Sequence, residues 1–231
     1  MNYLKTGDRE AILKKKRVVV KVGTSSITYE NGKVNFRYLD HLTRQLADLK
    51  NRGLDVVLVT SGAIGVGLPM LGFHKKPDFL LYKQAAAAVG QGALMNTYEH
   101  LFHEYGQTVG QLLFTKGDAV NSKRYLYMRG TIQALLELGA IPIVNENDAV
   151  SADEIKIGDN DTLSAIVASV AEADLLIILS DIQGLYTKDP KSHPDAELIH
   201  EVPAFSRELF AIAGGAGTAR GTGGMYTKIQ A

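Results

Sequence analysis

Two acid-amide clusters frame one short segment of this chain, Asn145-Glu146-Asn147-Asp148 and Asp159-Asn160-Asp161. Carboxylates beside carboxamides suit an ammonium group or a metal ion. The same residue types also make ordinary turns and helix N-caps, so the clusters alone leave these readings open. Three glycine-containing turns, Gly23-Thr24-Ser25-Ser26, Ser61-Gly62-Ala63 and Gly221-Thr222-Gly223-Gly224, add a second chemistry. Glycine lets backbone amides approach an anion, and a helix amino terminus supplies partial positive charge. Lys21 and Lys228 sit on or beside these turns. Taken singly, Lys21 reads as a snorkelling strand residue and Lys228 as a solvated helix residue. Taken with the turns, both suit polyphosphate binding and phosphoryl transfer, where catalysis is mostly positioning and charge neutralisation.

The elements that must place these residues are legible from pattern. Val18 to Gly23 reads as a short buried strand with a lysine in it. A helix follows from about Asn35 to Arg52, with Phe36, Leu39, Leu42, Leu46 and Leu49 at helical spacing and Gly53 at its close. Asp55 to Thr60 is a second buried strand, leading into a loop from Ser61 to Gly67. A long helical stretch spans about Asp78 to Tyr105, and its small residues Ala85 to Gly90 allow close helix or subunit packing. Further strands are expected near Gln107–Phe114, Ile141–Val144 and Asp174–Leu179, with a polar loop and a helix from about Ser122 to Leu138 after the first of them. Alternating buried strands and helices predict an α/β fold with a mainly parallel sheet covered on both faces. The acid-amide block runs from a strand's carboxyl end to a helix's amino end, where open α/β sheets bind ligands. Thr187 to Glu201 reads as a surface excursion, and glycine-rich Gly214 to Gly224 leads into a helix just beginning.

Composition narrows the class. Hydrophobic residues make up 45% of the 231, enough for a sizeable core, and 25 basic residues balance 25 acidic ones. That balance favours neither nucleic acid nor membrane as the main partner. With no cysteine, disulfides, thiolate metal sites and cysteine nucleophiles are excluded, and a reducing cytoplasm is the natural expectation. Neither G-x-x-x-x-G-K-[ST] nor G-x-G-x-x-G after a strand is present, and the acid-rich block fails the calcium-loop pattern. His100 and His103 share a helix face without a third ligand nearby and read as solvated. Lys123 to Arg129, aromatic and basic, reads as a partly buried helix with a charged face.

Five motifs stand in order: Val20-Lys21-Val22-Gly23-Thr24-Ser25, Val59-Thr60-Ser61-Gly62-Ala63-Ile64, Asn145-Glu146-Asn147-Asp148-Ala149-Val150, Ile157-Gly158-Asp159-Asn160-Asp161 and Gly221-Thr222-Gly223-Gly224-Met225-Tyr226-Thr227-Lys228. On these the chain resembles the glutamate 5-kinase family of the amino-acid kinase superfamily, over about Val18 to Ala231. The resemblance implies a three-layer αβα sandwich and ATP-dependent phosphorylation of the L-glutamate side-chain carboxylate, the first step of proline biosynthesis. It implies that Lys21 and Lys228 contact the transferred phosphoryl group and that Asp161 holds those lysines. Ser61, Asp148 and Asn160 would bind glutamate. Ser180 and Asp181 would line the ATP site with Thr222, Gly223, Gly224, Met225, Tyr226, Thr227 and Lys228, and magnesium would ride on the nucleotide phosphates rather than on a protein metal site. Proline as feedback inhibitor, a homo-oligomer and handover to glutamyl-phosphate reductase are implied partners. On the same comparison, residues 1–16 are expected to be a leader and 17–231 a kinase domain cut short at its carboxyl end, without the PUA domain of many members.

Overall fold

The strand Arg17–Val22 (β1) alternates its side chains between two cores. Val18, Val20 and Val22 join one cluster, and Val19 joins the other. Period-two geometry puts Lys21 on the Val19 side, at that side's last position before the strand's carboxyl end. The computed structural model that shows this describes residues 16–150, 160–190, 192–202 and 225–231. Beside β1 run Asp55–Val59 (β2), Val109–Phe114 (β3), Ile141–Glu146 (β4) and Leu175–Leu179 (β5). All pair in parallel, in the order β3-β4-β2-β1-β5.

One face is covered by Phe36–Asn51 (α2), which follows the short helix Thr24–Ile27 (α1), and by Leu80–Glu104 (α4), which follows Ala63–Met70 (α3). Leu39, Leu42 and Leu46 of α2 and Leu94, Tyr98 and Phe102 of α4 pack there on Val56, Leu58, Ile141 and Ile143. The other face is covered by Ser122–Glu137 (α6), preceded by the short Lys116–Val120 (α5), and by Asp161–Val170 (α7). Met128, Ile132 and Leu136 of α6 and Leu163, Val167 and Val170 of α7 meet Val57, Val59 and Val144. The result is the expected three-layer sandwich with a parallel sheet. A small antiparallel ribbon pairs Leu185–Tyr186 (β6), just before the expected surface excursion, with Leu198–Ile199 (β7) near its end, and Met225–Gln230 (α8) is the last helix.

Two stretches read as loops are helical. Ala63–Met70 is a helix although it holds two glycines and Pro69, because Gly62 starts it from a left-handed conformation (φ 94°) and the next helix supports it. The polar stretch after β3 contains α5, whose N-cap Thr115 and Asp118 form a reciprocal capping box. Asn35 caps α2 by accepting from the Tyr38 amide at 3.2 Å, at the boundary expected. His100 and His103 are exposed on α4, and α6 buries Met128 while Lys123, Arg124 and Arg129 are exposed.

The small residues of α4 serve a contact within the chain. A Cβ added to Gly67 of α3 would lie 1.8 Å from the Ala86 carbonyl oxygen, and one added to Gly90 would lie 1.9 Å from that of Ala63. The helices thus meet backbone to backbone, which only glycine permits. Gly90→Ala should lower stability by about 1–3 kcal/mol, the usual range for overpacking. Gly92→Ala, where an added Cβ meets nothing within 4 Å, should leave stability unchanged or raise it by up to about 1 kcal/mol. Denaturant midpoints of the two variants check the contrast.

Candidate active site

Lys21 is 4% exposed and Asp161 is fully buried. A buried charge needs a partner, and these two supply one another: Lys21 Nζ lies 2.7 Å from Asp161 Oδ1. Lys228 Nζ on α8 lies 3.0 Å from the other oxygen, Oδ2, and the Thr227 hydroxyl donates to that same oxygen at 3.2 Å. The elements explain the meeting. Lys21 ends the apolar row of β1 that faces α7, and Asp161 is the first residue of α7, where the helix dipole favours a carboxylate. Lys21 therefore does not snorkel and Lys228 is not a solvated helix residue, since their side chains keep only 5% and 18% exposure.

The acid-amide block divides its work. Asn160 occupies the N-cap position of α7 but makes no side-chain cap. Its Nδ2 instead donates to the Thr60 carbonyl at 2.5 Å and to Asn145 Oδ1 at 2.7 Å. Asn145 Oδ1 also accepts from the Glu146 amide at 2.9 Å, and Asn145 Nδ2 donates to Gln91 Oε1 at 2.8 Å. The Thr60 hydroxyl pairs with the Tyr98 hydroxyl at 2.8 Å, and burial pushes that phenol's pKa up, so it stays neutral. A chain of amides therefore runs from α4 across β4 and β2 to the start of α7.

Ser61 and Asp148 stand beside this chain. The Ser61 hydroxyl donates to the Val22 carbonyl at 3.1 Å and accepts from Thr24 Oγ1 at 3.2 Å, tying the residues just past β2 to the end of β1 and the start of α1. The first amides of α3, just beyond it, have no carbonyl partner within the helix and remain available to an anion. Asp148 lies in the turn after β4 and makes no hydrogen bond or ion pair among the described residues. Burial raises its carboxyl pKa from 3.8 to about 6, opposed by the charge of Lys76. A half-buried carboxylate in that state suits a cation brought by a ligand.

Ser180 and Asp181 follow β5 directly and are exposed, with the serine hydroxyl 3.3 Å from Asp181 Oδ1. Met225, Tyr226, Thr227 and Lys228 lie in α8; Thr222, Gly223 and Gly224 lie outside the described residues, as do residues 151–159. Lys21, Asp161 and Lys228 are thus brought into contact, as are Asn160 and Asn145, whereas Ser180 and Asp181 pair with one another. Among the described residues no cluster of three or more histidines, aspartates or glutamates could hold a metal ion. Gln91 was missed by the sequence reading. Its signal was available: it falls on the buried stripe of α4 with Leu94, Tyr98 and Phe102, an amide among apolar neighbours.

A parallel sheet between two helical layers, with its polar residues gathered at the carboxyl edge, places the chain in the α/β class whose ligands bind at that edge. The amino acid kinase family profile matches residues 16–231, and the chain belongs to that family. It is 59% identical over 215 residues to a glutamate 5-kinase of Caldanaerobacter subterraneus subsp. tengcongensis, covering 93% of this chain and 58% of that protein. To a glutamate 5-kinase of Clostridium tetani it is 56% identical over 216 residues, covering 94% of this chain and 81% of that one. The chain thus spans less than two thirds of the length of the first of these relatives. Among solved structures, UMP kinase from Ureaplasma parvum matches with a TM-score of 0.53 at 16% identity, over 80% of this chain and 75% of that one, a likeness of fold.

Asp148 generates a stability prediction. Between pH 3.8 and about 6 the folded state holds more protons than the unfolded chain, so stability falls as pH rises through that window. Above it, the charged carboxylate burdens the unliganded fold. Asp148→Asn should therefore raise the melting temperature at pH about 8, by roughly 2–4 °C for each kcal/mol relieved. The advantage should shrink as pH falls through about 6 and vanish only below about 3, under both pKa values, where the acid is protonated folded and unfolded; a series of thermal melts across this range tests it.

Proposed function

We propose that this protein transfers the terminal phosphoryl group of ATP to the side-chain carboxylate of L-glutamate, forming L-glutamyl 5-phosphate and ADP, the first step of proline biosynthesis. The observation that carries the reading is the pair of lysine ammonium groups, Lys21 and Lys228, held on one buried carboxylate. Two ammonium groups held side by side on one carboxylate suit a phosphate and not a neutral ligand. The similarity to relatives named glutamate 5-kinase supports the same choice.

The chemistry asks for little else. A glutamate side chain, with a reference pKa of about 4.3, is already ionised at neutral pH and needs no general base. A carboxylate oxygen attacks the terminal phosphorus while the bond to the bridging oxygen of ADP breaks. The obstacle is repulsion between two anions, and Lys21 and Lys228 answer it where charge builds up. Asp161 fixes both ammonium groups before substrate arrives. Asp148 and the Asn160 side-chain oxygen receive the substrate ammonium, and Ser61 with the α3 amides receives a carboxylate. Ser180, Asp181 and residues 222–228 line the nucleotide, and magnesium enters on its phosphates, adding positive charge there.

Residues 17–231 act in this reading as amino-acid kinase domain. It also includes assembly into a homo-oligomer, supported by the exposed Phe79, Leu81 and Tyr82 on and beside α4. The acyl phosphate product is labile, which favours handover to a reductase, and proline is the expected feedback inhibitor. No described helix is long and apolar enough to cross a membrane.

A hydroxamate assay for the acyl phosphate tests the assignment. Lys21→Ala and Lys228→Ala should each lower kcat by about 100-fold or more, as loss of a preorganised charge partner does, with much smaller effects on glutamate binding. Turnover of N-acetylglutamate or aspartate, with none of glutamate, would overturn the acceptor. Asp148→Ala should raise the KM for glutamate most. In the unsubstituted protein that KM should climb as pH falls below about 6, because protonated Asp148 no longer attracts an ammonium.

A further inference from the structure

The amide chain has a direction. Asn160 commits Nδ2 inward, to the Thr60 carbonyl and Asn145 Oδ1, so its own Oδ1 is the end left over. That oxygen accepts no hydrogen bond among the described residues, in a residue 6% exposed. Reversing Asn160 would set its oxygen against two other oxygens. What prevents the whole chain from reversing is its far end. Asn145 receives the Glu146 amide on Oδ1, which leaves Nδ2 needing an acceptor in a residue only 1% exposed. Gln91 Oε1 is that acceptor, in a residue 8% exposed. Gln91 Nε2, by contrast, is buried and makes no hydrogen bond. Leaving a buried donor unmet is costly, so the position is occupied for the sake of its carbonyl oxygen.

We propose that Gln91 is a positioning residue for the amino-acid substrate: it holds Asn145, and through Asn145 it holds Asn160 with the side-chain oxygen presented to the substrate ammonium. Gln91 itself touches no reacting atom. Its effect is on selection, since an oxygen at that spot accepts from an ammonium, and a reversed amide there would repel it. The proposal rests on the glutamate reading given above and adds to it a residue that sets preference for an amino acid over a plain dicarboxylate.

The test compares glutamate with glutarate, which lacks the ammonium, in the hydroxamate assay. Gln91→Met should raise the KM for glutamate about 10-fold with kcat within about 3-fold, the split expected when uniform binding is lost. The KM for glutarate should stay within about 2-fold, so the preference shrinks by nearly the same factor as the glutamate KM rises. Combined with Asn160→Ala, Gln91→Met should add nothing further, because both act through one oxygen. Gln91→Glu still offers an acceptor oxygen to Asn145 Nδ2 and should keep the glutamate preference. Should Gln91→Met fail to fold, Gln91→Glu decides alone: a loss of preference as large as that of Asn160→Ala overturns the proposal. Equal losses for glutamate and glutarate, or effects of Gln91→Met and Asn160→Ala that multiply, also overturn it. An unsubstituted protein that turns over no glutamate sinks the underlying reading as well, whereas normal turnover with unchanged preference in Gln91→Met sinks this proposal alone.

Discussion

Everything at the carboxyl edge depends on one buried carboxylate. Asp161 joins β1, α7 and α8, elements whose contact residues are 140 and 67 positions apart in the chain, through Lys21 on one oxygen and Lys228 on the other. Ion pairs stripped of water contribute little net stability, because desolvation offsets the attraction. What they enforce is completeness: removing one member leaves the remainder charged and stranded, typically at 3–5 kcal/mol, roughly a third of an ordinary domain's stability. The helix dipole at the start of α7 lightens that cost for the acid, and the lysines lighten it further. The site and the fold are therefore stabilised by the same three side chains.

Sheet register does the aiming. Lys21 lies opposite Val59 on one side and Ile178 on the other. Ser61 and Ser180 each come two residues past those partners, and Asn145 comes one past Val144, the partner of Val59. Parallel strands all finish at one edge, so residues from four strands arrive at the same height without any long loop to carry them.

Much of this was visible in the sequence, for reasons that can be named. Buried parallel strands are runs of Val, Ile and Leu, and a lysine inside one stands out. The amphipathic α2 shows its spacing and its cap. By contrast, Ser61 to Gly67 reads as a loop because its three glycines lower local helix preference, and only the neighbouring helix at Gly90 restores it. Asn160 showed its N-cap position correctly, but position does not reveal which way an amide points. That choice is made by Thr60 and Asn145, far away in the chain. Gln91 stood on a buried stripe, yet its partner 54 residues on belongs to the tertiary fold.

The contact between Gly67 and Gly90 has a mechanical meaning. Side chains between helices act as a cushion, since rotamers can shift to absorb a small displacement. Here peptide planes touch directly, and close-packed matter of that kind transmits strain. The two helices are in direct backbone contact at this point. The outer flank of α4 carries exposed Leu81 and Tyr82, and its inner flank carries Gln91, one residue after the contact. At the tightest point of the contact no side chain can yield, so a shift of either helix there must be taken up by backbone.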